Sequence, residues 1–245
     1  MTIMEFELII DRIIEGLEYI DVNTQIINSN RRDRNIIYLR GLKTLFETQI
    51  TQELVNWWLM SYPNDFKNTY QLTNEHAYPD ISNASCDLVF SSKGYIINRF
   101  EWALELKYIQ LVGDNGKNND HTIQKVLSPY LKDRSLFHDV NRLSQSSISE
   151  KKAVIGFGFE YDNELLLLLR NMHPNEHDRH SNLDKVLNSN DPKYGVYNLE
   201  PLINLVERNL MAEGLIQQSA VVRNFDAFSH PCGGRGKVFG WKINN

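Results

Sequence analysis

The chain of 245 residues is short of several things, and each shortage narrows what it can be. It has two cysteines, Cys86 and Cys232, which form neither a zinc-ligand spacing nor a disulfide framework. That usage points to a reduced, cytoplasmic setting. The longest apolar run, Leu165 to Leu169, is too short to span a bilayer. Met1 to Ile20 alternates acids with apolar residues and lacks the basic start of a secretory signal. No membrane partner is expected. There is no GxGxxG and no GxxxxGK[ST], so phosphate-cradling loops of those kinds are excluded. Repeats and low-complexity tracts are absent as well. Positive charge does not dominate: the net charge is −5, which argues against a non-specific nucleic-acid coat protein.

What is present is ordinary in amount and uneven in placement. Hydrophobic residues make up 42% and charged residues 23%, as in a soluble globular protein with a sizeable core. Residues 1–245 read as one domain. The basic residues are gathered: residues 107–152 hold eight against five acids, 221–245 four against one, and 31–43 five against one. Such stretches can meet a polyanion, and can equally be solvated surface.

Residues 3–20 have helical periodicity, and a second helical region covers 35–61, ending before Pro63. The character then changes. "NTYQLTN" (68–74), "CDLVFSS" (86–92) and "RFEWALELKYIQL" (99–111) are rich in aromatic and β-branched residues, and the last two read as a hairpin. Residues 121–127 and 133–147 look helical, with Asp133 as a possible N-cap of the latter. "KKAVIGFGFE" (151–160) is a strand, 163–172 and 199–214 are helical, and "IQQSAVVRN" and "KVFGWKI" are closing strands. Strands do not alternate singly with helices, so a doubly wound dinucleotide fold is not expected.

The strand 99–111 carries an anomaly. Its side chains alternate faces, so Glu101, Ala103, Glu105 and Lys107 share one and Trp102, Leu104, Leu106 and Tyr108 the other. Buried charges are costly unless paired or bound to a cation. In a hairpin Asp87 comes near Glu105 and Lys107. Two carboxylates beside a lysine suit a hard divalent ion, with the amine steering a water or phosphate. Glu101 lies four residues before Glu105, too far along the strand to join them. On 42–60, taken as one helix, Leu42, Phe46, Ile50, Trp57 and Met60 form a stripe with Glu53 at its centre, whereas Glu47 has no such placement. Glu53 is therefore a third candidate acid, its alternative being a bond to backbone or a core tyrosine.

Asp87 followed by Glu105–Leu106–Lys107 resembles the D…(D/E)xK core of the PD-(D/E)XK nuclease superfamily. The resemblance covers roughly residues 42–160. It implies a restriction-endonuclease-like αβββαβ core: an α/β (α+β) fold with a mixed central sheet flanked by helices. Residues 1–41 would be a helical extension, and 161–245 would add a helix and strands. It implies Mg²⁺, for which Mn²⁺ substitutes, held by Asp87, Glu105 and Glu53, with Lys107 acting on the attacking water. It further implies phosphodiester hydrolysis in nucleic acid, double-stranded DNA in the first place, in restriction or phage defence, with a homodimer suited to two-strand cutting. "YPD" (78–80) contains a literal Pro-Asp, which makes Asp80 the fallback for Asp87.

Lys117, Lys132, Arg134, Arg235 and Lys237 are the candidate nucleic-acid contacts. The alternative from another class is a nuclease-like module that binds nucleic acid or protein without cutting. His173, His177 and His180 lie in a polar stretch without a helical scaffold and read as surface. His230 and Cys232, on a turn, are poorly placed for a thiol nucleophile.

Overall fold

The computed structural model describes residues 4–25, 40–66, 72–93, 99–113, 125–128, 130, 135–165, 167, 197–230 and 232–244. Helix α1 (Phe6–Asn23) forms where apolar residues recur at three- and four-residue spacing. Phe6, Ile9, Ile10, Ile13, Leu17 and Ile20 are all buried. Each contributes about 1.5–3 kcal/mol relative to exposure.

The second helix starts later than its sequence suggests. Gly41 has φ 121, a conformation that a side chain would strain, and Leu42–Thr44 form a 3-10 turn. Helix α2 (Glu47–Ser61) begins only after an extended break at Leu45 and Phe46. Buried Asp21 stitches this region together. Its Oδ1 accepts from the Leu42 N–H and its Oδ2 from the Ser229 N–H, at 2.7 and 2.9 Å.

Six strands form one mixed sheet: β1 (Thr73–Ala77), β2 (Ser85–Phe90), β3 (Phe100–Ile109), β4 (Ser149–Phe159), β5 (Val221–Ala227) and β6 (Gly234–Ile243). Their spatial order is β1-β2-β3-β4-β6-β5. Only the β3–β4 pair is parallel. Parallel neighbours need a crossover, and helix α3 (Leu136–Gln145) lies within it. Its N-cap is Ser135, whose hydroxyl accepts from the His138 N–H at 3.1 Å, rather than Asp133, which lies outside the described residues. Helix α4 (Glu200–Ala212) precedes β5.

The expected strands 86–92, 99–111 and 151–160 and the closing pair are all present with shifted ends. Of 68–74, Thr73 and Asn74 belong to β1, and 68–71 lie outside the described residues. The hairpin partners 86–92 and 99–111 do pair antiparallel. Helices α1 and α2 cover the face that carries Trp102 and Phe90: Phe6 stacks on Trp102 at 5.9 Å, and Trp58 meets Phe90 at 5.5 Å. Helix α3 covers the opposite face, which carries Glu105 and Lys107. The sheet is packed to close tolerance. A Cβ added to Gly156 would lie 2.4 Å from the Phe239 ring. Among the described residues no helix is long and apolar enough to cross a membrane.

Candidate functional site

The site lies where β2 and β3 part. Their ladder runs from Phe90–Trp102 to Leu88–Leu104. One step further on, Asp87 faces Glu105. From there two successive β3 donors on that side are taken by carboxylates. The Leu106 N–H donates to Asp87 Oδ2 at 2.7 Å, and the Tyr108 N–H donates to Glu47 Oε2 at 2.6 Å. Backbone donors inside a protein must find acceptors. Here the side chains that supply them also line a gap between strands with negative charge.

Glu105 is almost fully buried. Its Oε1 accepts from the Tyr78 hydroxyl at 2.5 Å and from Arg142 Nη2 at 2.7 Å. Burial and the Asp139 charge raise its pKa against the opposing pull of Arg142, to about 6. Asp87 is half-buried, and its carboxyl is within hydrogen-bonding reach of Glu105. Burial, then the Glu105 and Glu47 charges, push it well above the usual carboxylate range. The same environment raises Tyr78 and the Cys86 thiol, in both cases chiefly by burial.

Lys107 is held from two helices. Its Nζ lies 2.8 Å from Asp139 Oδ2 on α3 and 3.5 Å from Glu47 Oε1 on α2. Burial alone would lower its pKa, but the charges of Glu47 and Asp139 outweigh burial and raise it. Arg142 Nη2 bridges Glu105 Oε1 and, at 3.1 Å, Asp139 Oδ1, three residues back on α3. The guanidinium lies 5.2 Å from the Tyr78 ring centre. The cluster is thus four carboxylates (Glu47, Asp87, Glu105, Asp139) around two cations (Lys107, Arg142). With all of them ionised it carries two uncompensated negative charges.

Asp87, Glu105 and Lys107 are therefore brought together. Glu53 is not. It is exposed, beside exposed Gln52 and Asn56. The stripe that placed it inward assumed one helix from Leu42. The helix starts at Glu47, and Phe46 and Met60 are 65% and 67% exposed. In the actual phase Glu47, Thr51, Leu54 and Trp58 share a side, and Glu47 is the acid that reaches Lys107. Asp80, the fallback, is a fastener: its carboxylate accepts from the Ser146 hydroxyl and the Ser147 N–H, both at 2.6 Å, where α3 runs into β4.

Glu101 is fully buried and structural. It accepts from Ser92 and from Lys151 Nζ, the latter at 3.0 Å. Arg235 is exposed. Lys237 pairs with Glu160 at 2.7 Å. Register sets Lys237 beside Gly158 and Gly158 beside Ile109, two strands or about 10 Å from the end of β3. Lys117, Lys132, Arg134 and the histidines 173, 177 and 180 lie outside the described residues.

Among the described residues, no group of three or more His, Cys, Asp or Glu side chains forms a ready metal cage. Mg²⁺ does not require one: it keeps several waters and takes one or two carboxylates plus substrate phosphates. The donor set meets that demand. Oδ1 of Asp87 and Oε2 of Glu105 are the oxygens left by the donors named above. Burial, then the neighbouring carboxylates, raise the pKa of both groups, and with all four carboxylates ionised the two uncompensated charges equal those of a divalent ion. Comparison with family models, with curated proteins and with solved structures finds no match in any of the three.

Proposed function

We propose that this chain is a divalent-metal-dependent nuclease with a restriction-endonuclease-like core, built from α2, β1–β3, α3 and β4. The observation that carries the reading is the gap between β2 and β3, where Asp87 and Glu105 face each other beside Lys107. Asp87 and Glu105 would hold Mg²⁺. When bound, the ion neutralises charge on the phosphate and acidifies water.

The protein's own groups do the rest. Lys107, its pKa raised by Glu47 and Asp139, stays an ammonium at neutral pH. It therefore serves as a hydrogen-bond donor to an attacking water and to developing negative charge, not as the base that takes a proton. Glu47 and Asp139 fix its amine from two helices, so its position does not depend on substrate. Glu47 also ties α2 to β3 through the Tyr108 N–H. Lys237 and exposed Arg235, at the same end of the sheet, would contact the nucleic-acid backbone.

The test is incubation with plasmid, linear DNA and RNA, with Mg²⁺ and with EDTA, beside Lys107→Ala. Mg²⁺-dependent loss of intact nucleic acid by the wild type, abolished in the variant, supports the reading. Retention of nucleic acid without cutting would instead favour a binding module. Cutting that survives Lys107→Ala would falsify the site.

A further inference from the structure

The guanidinium of Arg142 sits beside the place where a cation is wanted, on the Glu105 oxygen next to the one left open to an ion. It sits on Glu105 Oε1 at 2.7 Å, inside a cluster whose carboxylates outnumber its cations. We infer that Arg142 is a resident counter-cation, displaced from Glu105 when a divalent ion enters, so that loading the site exchanges one cation for another. This rests on the metal-site reading above and concerns how that site is regulated.

Three features make the Arg142–Glu105 contact displaceable. First, it is not the forked pair that makes arginine–carboxylate contacts strong. One nitrogen, Nη2, serves both Glu105 and Asp139, while the buried Nε has no acceptor among the described residues. Second, Arg142 has somewhere to stay. Asp139 Oδ1, three residues back on the same helix, keeps hold of Nη2 when Glu105 turns away, so no buried charge is stranded. Third, Lys107 is anchored to Asp139 and Glu47 and needs no rearrangement when Glu105 is released. Arg142 thereby protects a carboxylate pair that would otherwise repel itself in the empty protein, and it opposes the ion by like charge.

Mn²⁺ titration calorimetry at pH 7.5, without nucleic acid, tests this. Wild type, Arg142→Gln, Arg142→Lys and Glu105→Gln are compared, with circular dichroism as the folding control. Arg142→Gln is expected to bind Mn²⁺ about tenfold tighter, because a like charge is gone. Arg142→Lys, which keeps the charge but not the fork, is expected to stay within about threefold of wild type. A folded Arg142→Gln that binds no tighter than wild type overturns the inference. If wild type binds and Glu105→Gln does not, the metal site survives that failure. If no folded variant nor the wild type binds Mn²⁺, both fall together. A second readout needs no Gln variant: the Arg142 Nε–H resonance, identified by its loss in Arg142→Lys, is expected to shift when wild type is saturated with Mg²⁺. An unmoved resonance at saturation overturns the inference.

Discussion

Replacing Glu105 with glutamine should make the protein more stable while removing the proposed cleavage. Glu105 has its pKa raised from 4.5 to about 6, chiefly by burial. A carboxylic acid raised in the folded state binds protons more tightly there than when unfolded. Unfolding stability therefore falls as pH climbs through the window from 4.5 to about 6. The ionised group therefore destabilises the fold by about 2 kcal/mol at pH 8, and by less than half of that at pH 5. Glutamine keeps an oxygen for Tyr78 and Arg142 but carries no charge. Urea denaturation of wild type and Glu105→Gln at both values reads the difference. The variant should be about 2 kcal/mol more stable at pH 8, with the advantage shrinking to less than half of that at pH 5. The Glu105 charge also helps to raise Asp87, so relief there adds in the same direction. A variant less stable than wild type at pH 8, or an advantage equal at the two pH values, would refute the electrostatic reasoning.

Other expectations concern the neighbours. Lys107→Met keeps the stem but breaks a buried pair; it should cost about 3 kcal/mol, the low end for such a break because Arg142 still holds Asp139, and lower any cleavage rate by about 10²–10³-fold. Both quantities are accessible, by urea denaturation and single-turnover cleavage. Glu47→Gln weakens the acceptor of the Tyr108 N–H and should cost about 1 kcal/mol, whereas exposed Glu53→Gln should change stability by less than about 0.5 kcal/mol. Equal effects from the two would contradict the placement of α2. Gly156→Ala drives a Cβ into the Phe239 ring and should lower stability by about 1–3 kcal/mol, readable as a shifted urea midpoint.

The sheet side of the site was legible in the sequence because strand alternation is rigid. Asp87, Glu105 and Lys107 follow from a period of two and one hairpin, and neither depends on where the strands end. The helical side was not, because the inward face of a helix is inferred from which apolar residues share it. Leu42 lies in a 3-10 turn and Phe46 before the start of α2 at Glu47, and without them and exposed Met60 the face centres near Glu47 rather than Glu53. The period itself held the signal, in Glu47, Thr51, Leu54 and Trp58, once the start was known. Asp139 and Arg142 carry a weaker mark. They are three apart on α3, among the buried Leu136, Val140 and Leu143, a spacing that puts charge on the edge of an apolar face. Tyr78, just after β1, had no local signal at all. Only the pairing of β1 with β2 brings its hydroxyl to Glu105.

The most direct measurement is an anomalous difference map from a crystal soaked in Mn²⁺. The expected map has a peak between Asp87 and Glu105, about 2.1 Å from one oxygen of each. A map with no peak there, and Arg142 still seated on Glu105, would contradict a metal site in the gap between β2 and β3.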